Sequence, residues 1–133
     1  MKYFLVIFLM ILGCDRVSLY NNYETINVAG EIFQIAKQDF PRKLNWWEAV
    51  KACKNLGNGW RLPYEYELSM MKVQLHNHGK GDFKNEDYWS LSAVYNGKFM
   101  LGDFSSSIDF KSGAVVPSEP HNRLNVRAVR ALP

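Results

Sequence analysis

Hydrophobic residues fall into three kinds of pattern along the chain. Residues 3–12 form an unbroken apolar run behind Met1 and Lys2. At about ten residues the run is too short to cross a bilayer, which takes ~20, and its cationic start predicts an export signal. Through 15–30, Ser18, Asn21, Asn22 and Asn27 break up scattered apolar residues without a helical period, which predicts a tether. Ile32, Phe33, Ile35 and Ala36 supply the apolar positions of a first strand over 31–36, and Pro41 ends it. Over 45–56 the period changes: Trp46, Ala49, Val50, Cys53 and Leu56 recur at three and four, so one face of a helix is apolar. Asn45 is suited to cap it, Glu48 completes a capping box, and Gly57 and Gly59 stop it. Pro63 is placed to open a second helix, with Glu65 and Glu67 in its acidic first turn, Leu68, Met71, Val73 and Leu75 apolar, and an end near 76–79.

Beyond Gly79 the pattern shortens to alternating segments. Strands are predicted over 88–94, 98–101, 108–110 and 124–129, separated by Asn96-Gly97, Gly102-Asp103, Ser112-Gly113 and a loop around Pro117 and Pro120. One strand, two helices and then several strands, without βαβ alternation, predict an α+β class with a mostly antiparallel sheet and long loops.

Removing the signal leaves about 120 residues, which suits one domain with a true core. Of 16 Lys+Arg and 13 Asp+Glu, the signal holds only Lys2, so the remainder sits near +2. That balance lacks the basic stripe of a nucleic-acid binder. Cys14 and Cys53 are the two cysteines, and an exported domain ordinarily pairs its cysteines. With Cys14 engaged elsewhere, Cys53 has no intrachain partner and belongs, on the apolar helix face, to the core.

Ile11-Leu12-Gly13-Cys14 resembles the bacterial lipobox. The resemblance implies cleavage after Gly13 and acylation of Cys14, giving a signal peptide over 1–13, a tether over 14–30 and a domain over 31–133. More than one acyl chain, palmitate among them, would hold the protein stably at the outer or cytoplasmic membrane of a bacterial envelope, with the domain outside the cytoplasm.

A second resemblance covers almost the whole domain. The run Trp46-Trp47-Glu48-Ala49, Cys53, Leu56-Gly57, Trp60-Arg61-Leu62-Pro63, Glu67-Leu68, Tyr88-Trp89-Ser90 and Val126-Arg127-Ala128-Val129-Arg130 resembles the DUF1566 family, related to the C-terminal domain of the Legionella collagen-like adhesin and to the Fibrobacter major paralogous domain. It implies a C-type-lectin-like fold and a non-catalytic, adhesin-like role at a surface; the adhesin's domain binds glycosaminoglycans. The pattern departs at Ala128, where family members often carry a cysteine able to pair with the helix cysteine. The loss of that staple removes about 2–4 kcal/mol of stabilisation. Arg-Leu-Pro followed by Glu67 also resembles formylglycine-generating enzymes, yet no cysteine follows Cys53 to supply their late cysteine pair. Physically, Trp60 and Leu62 suit packing between helices and sheet, and Arg61 suits a fork onto a carboxylate such as Glu67 or bonds to loop carbonyls.

Catalytic chemistry finds no scaffold in the sequence. His76 and His78 do not share a helical face and His121 is distant, so no zinc set forms. Glu119-Pro120-His121-Asn122 resembles the Glu-Pro-Asn triplet of calcium-dependent lectins but is broken by His121, and these oxygens are too few for calcium. Ser105, Ser106 and Ser107 read as a polar loop without a nucleophile elbow, and no phosphate loop exists. No cofactor or metal is therefore expected. A recognition site would use loop residues: Tyr95, Lys98, Asp103, Glu119, His121, Asn122 and Arg123. The expected function is non-catalytic recognition of a glycan, a glycosaminoglycan or a surface protein. The alternative is a structural or assembly lipoprotein of the envelope that binds a partner protein, and a third reading is a degenerate relative of the formylglycine enzymes.

Overall fold

A computed structural model describes residues 23–96 and 99–132, with backbone pairing alone given between 93 and 104. The acylation site read at Cys14 lies outside the described residues.

Among the described residues, two three-stranded antiparallel sheets and two α-helices make up the fold. Strands β1 (Glu24–Val28), β2 (Glu31–Ile35) and β6 (Val129–Ala131) form one sheet in the order β1-β2-β6; β3 (Asp87–Asn96), β4 (Phe99–Asp109) and β5 (Val115–Ser118) form the other in that order. Helix α1 spans Trp46–Asn55 and α2 spans Glu65–Gln74, followed by a 3-10 turn over His76–His78.

β1 corrects the tether expected through residue 30. Glu24 pairs with Ile35 and Val28 with Glu31, and Ile26 is buried. The turn is Ala29-Gly30, both at positive φ (52° and 87°), which matches strand twist as a type I′ turn does. Ala is an uncommon residue for that conformation, so the turn gives little sequence signal. The Asn27 side chain accepts a hydrogen bond from the Gly30 N–H at 2.8 Å, and Gln74 of α2 bonds both backbone groups of Asn27.

α1 forms where the periodicity places it. Asn45 accepts from the Glu48 N–H at 2.9 Å and the Glu48 side chain accepts from the Asn45 N–H at 3.2 Å, closing the capping box. α2 begins two residues later than Pro63 suggests. Pro63 precedes the cap residue Tyr64, which is extended, because the Pro63 carbonyl is taken by the Leu91 N–H of β3 at 2.7 Å.

The second sheet is more continuous than its turn residues indicate. The expected break at Gly102-Asp103 falls inside β4, which merges the two strands placed at 98–101 and 108–110. Ser105, Ser106 and Ser107 are therefore buried strand residues, not a polar loop. The hydroxyls of two of them are satisfied: Ser106 meets Ser90 and donates to the Ser92 carbonyl at 3.1 Å, while Ser107 meets Ser118 at 2.9 Å. Pro117 lies in edge strand β5, where a missing N–H is tolerated.

The strand expected over 124–129 is an extended segment of which only its end enters β6. Leu124 and Leu44 exchange backbone bonds at 3.0 Å, and the Val126 and Ala128 carbonyls accept from Phe40 and Ala36. On the other edge, Asn125 bonds β3 through Trp89 and Asp87. Side chains alternate between two cores, as strand geometry requires. Val126 and Ala128 join Leu44, Ala49, Cys53, Leu62 and Trp89 under α1. Val129 joins Ile26, Phe33, Ile35, Leu68, Met71, Tyr88, Ile108 and Phe110 under α2. Ala128 thus shares one core with Cys53.

Candidate functional site

The loop at 119–123 is docked on the N-terminal end of α1. The Trp46 N–H donates to the Pro120 carbonyl at 2.9 Å, and the Trp46 indole donates to the Ser90 carbonyl at 2.9 Å, which fixes the helix end against both loop and sheet. Pro120 is buried, whereas Glu119, His121, Asn122 and Arg123 face solvent. The Asn122 N–H closes a turn on the Glu119 carbonyl at 3.0 Å. Arg123 reaches Glu48 at 3.7 Å, with both side chains largely exposed, a contact that holds the guanidinium only loosely.

Trp47 completes this surface. It is 48% exposed, and the His121 ring packs edge-on to it at 4.9 Å. A rigid aromatic face beside an imidazole, an amide, a carboxylate and a cation is equipped to bind a ligand by stacking and hydrogen bonding. Sequence reasoning grouped Trp47 only with the motif. Its signal was available: Trp47 lies off the apolar face defined by Trp46, Ala49, Val50 and Cys53, and a tryptophan on a polar helix face is a candidate contact residue.

The structure joins Glu119, His121, Asn122 and Arg123, whereas Tyr95, Lys98 and Asp103 lie outside the residues whose side chains are described. Of the other motif residues, Arg61, Glu67, Trp89 and Arg127 are engaged inside the fold. Arg61 forks onto Glu67 at 2.7 and 2.8 Å, and Glu67, fully buried, also accepts the Tyr64 N–H at 2.7 Å. The hydrogen bond that Arg61 donates to Glu67 raises the Arg61 pKa further, so the guanidinium stays charged. Arg127 is 1% exposed, donates to Asp39 at 2.8 Å and to the carbonyls of Ala36, Gly81 and Asp82, and lies 4.2 Å from the Phe83 ring. Tyr88 closes the set by donating to the second Asp39 oxygen at 2.7 Å. Buried Trp89 donates its indole N–H to the Leu44 carbonyl at 2.7 Å. Burial pushes the Cys53 thiol from its ordinary 9.0 up to about 12, so it is neutral and unreactive at physiological pH.

The histidines are dispersed. His76 bonds Asn85 at 2.7 Å and packs on Phe83 and Phe110, far in the fold from His121 on Trp47. Among the described residues no group of three or more His, Cys, Asp or Glu could hold a metal ion. Around the start of β3 and the end of β4, Lys43 hydrogen-bonds Glu86 and lowers its pKa, the backbone N–H of Lys111 lowers that of Asp109, and burial raises that of Asp87.

At the other end of α1, two cavities share Trp60. One, of about 320 Å³, is lined by Tyr23, Phe40, Pro41, Leu56 and Trp60; the second, of about 360 Å³, runs along Val50, Lys54, Trp60 and Leu91.

No protein-family model and no curated protein matches this sequence. Solved structures do match. EMS16, an antagonist of collagen receptor integrin alpha2beta1, superposes with a TM-score of 0.52 at 12% identity, over 81% of this chain and 97% of that one. Botrocetin gives 0.51 at 10% identity over 82% and 96%, and the snake venom toxin convulxin 0.50 at 9% over 82% and 96%. The fold is C-type-lectin-like. At these identities the likeness is one of architecture, and the lectin-like scaffold of this chain carries its own surface residues.

Proposed function

We propose that this chain is a non-catalytic recognition domain of DUF1566 type, held on a bacterial envelope by acyl chains on Cys14, with the domain outside the cytoplasm. Trp47, exposed and flanked by His121, Asn122 and Arg123 on a loop clamped to α1, is the observation that carries the recognition reading. The order of Met1-Lys2, the apolar run and Gly13-Cys14 supports the anchor. The ligand is a surface glycan or a surface protein, stacked on Trp47 and hydrogen-bonded by the loop.

Crosslinking of intact cells followed by pull-down, together with a glycan array, tests this on the full chain. Trp47→Ala should lose the ligand while leaving the fold intact, and a chelator should not change binding. Undiminished binding by Trp47→Ala would place the contact elsewhere. Stoichiometric calcium detected by calorimetry would overturn the calcium-free mode. Cys14→Ser should release the protein from membranes and abolish fatty-acid labelling; labelling that persists would sink the anchor.

The reading as an assembly lipoprotein of the envelope is favoured by one observation, the largely apolar cleft at Trp60, since such a surface suits a protein partner.

A further inference from the structure

The cleft at the C-terminal end of α1 is distinct from the Trp47 surface. The ten-residue helix separates them by about 15 Å. Tyr23 and Trp60 meet edge to face at 5.4 Å, and Ala36, Phe40, Pro41 and Leu56 complete the apolar walls. Leu56 is 47% exposed, a large aliphatic side chain left at the rim. At about 320 Å³ the space is at the small end of ligand sites and suits one large side chain.

Charge at the cleft has one sign. Asp39 is the acid in its lining, and both its carboxylate oxygens are already taken by Arg127 and Tyr88. Lys37 stands with its ammonium 5.4 Å from the Tyr23 ring, and Arg130 backs the aromatic pair with its guanidinium 4.5 Å from Trp60. Among the described residues neither cation has a carboxylate within ion-pair distance. Arg130 lies behind Trp60 and donates to the Gln34 side chain and the Asn58 carbonyl, so the apolar slot carries one cation without an ion pair at its rim, Lys37, the complement of an apolar side chain next to an acid.

We propose that this cleft binds an acidic peptide segment of a partner protein, seating one aromatic or branched aliphatic side chain against Leu56 and Trp60 and a neighbouring carboxylate on Lys37. A sugar fits less well, because its hydroxyls need convergent donors and acceptors and Gln38 is the uncharged polar side chain in the lining. The proposal rests on the reading of the chain as a recognition domain and adds a second contact face to it.

NMR titration of the full chain tests it with acetylated pentapeptides: Gly-Glu-Trp-Glu-Gly, its charge-reversed form Gly-Lys-Trp-Lys-Gly, its anchorless form Gly-Glu-Ser-Glu-Gly, and a sulfated heparin disaccharide. The first peptide should shift the Trp60 indole and Lys37 amide signals saturably, and the other three should not. Lys37→Glu should weaken the first peptide at least about fivefold. Leu56→Ser, at an exposed rim position, should weaken it about tenfold while the remaining spectrum is unchanged. Equal binding of the lysine peptide, absence of saturation up to about 1 mM, or the disaccharide occupying the cleft overturns the proposal. Concentration-dependent shifts at the cleft with no probe present would assign it to a second copy of this chain and overturn it likewise. Probe shifts confined to Trp47 and His121 would defeat this proposal while leaving the recognition reading in place; silence at both faces in every assay would defeat both.

Discussion

Arg127 and Arg123 stand on the same extended segment and have opposite environments. Arg127 is 1% exposed, with its donors spent on Asp39 and on the carbonyls that fix two loops. Arg123 is 60% exposed and touches Glu48 at 3.7 Å. The segment passes between two cores at residue 127 and is still at the surface at 123. The difference is one of pairing: Arg127 is saturated by partners inside the fold, and Arg123 is left exposed with one loose contact.

The largest expected effect breaks the saturated side. Arg127→Ala leaves Asp39 without its ion-pair partner and should destabilise the domain by about 3–5 kcal/mol, read as a fall in the urea midpoint. A loss under about 1 kcal/mol would mean that the network is dispensable.

Cys53 probes the core beneath α1 next. Cys53→Ala should lower stability by about 1–2 kcal/mol. The wild-type thiol also predicts a pH response. Its pKa is higher folded than unfolded, so above pH 9 the unfolded state binds fewer protons than the native state and stability falls as pH rises. The slope approaches about 1.4 kcal/mol per pH unit. Well below pH 9 this group contributes almost no slope, and the slope builds through the unfolded value of 9.0. Tyr88, also pushed up by burial, adds its own loss centred on its ordinary value of 10, so the thiol is isolated by comparison of the two proteins and not by a pH interval. Denaturation midpoints between about pH 8 and 10 should decline more steeply in the wild type than in Cys53→Ala.

Asn45→Ala tests the framework that holds the Trp47 surface. Losing the cap should lower stability by about 1 kcal/mol and weaken ligand binding in parallel, because the helix end that carries Trp47 frays. The smallest effect sharpens the opposite side: Arg123→Ala should change stability by no more than about 0.5 kcal/mol. If Arg123 serves recognition, the same variant weakens binding, and unaltered binding would remove it from the site.

Local chemistry made much of this legible. The α1 helix and its capping box follow from Asn45, Glu48 and a period of three and four, because those interactions span one turn. The α+β class follows from the order of periodicities. Other features depended on distant partners. β1 is a strand because β2 pairs with it and α2 covers Ile26, although its turn carries Ala29 where Asn or Gly would have announced a hairpin. The serines of β4 look like a loop by composition, and are buried in the sheet, where hydroxyls from β3 and β5 pair with Ser106 and Ser107. Pro63 looks like a first helical residue, and is displaced because β3 claims its carbonyl.

Candidate chemistry divides in the same way. Glu119, His121, Asn122 and Arg123 were legible as a polar loop, but that the loop meets Trp47 depends on the Pro120 carbonyl capturing the Trp46 N–H. What the sequence by itself determined is local: an apolar run before Cys14, two helices and the residues that can turn. Only the tertiary structure decided which arginines are saturated, which tryptophan is exposed and where clefts open. The physical reason is that exposure and pairing are set by contacts between segments remote in sequence, and no periodicity within one segment encodes what the other brings.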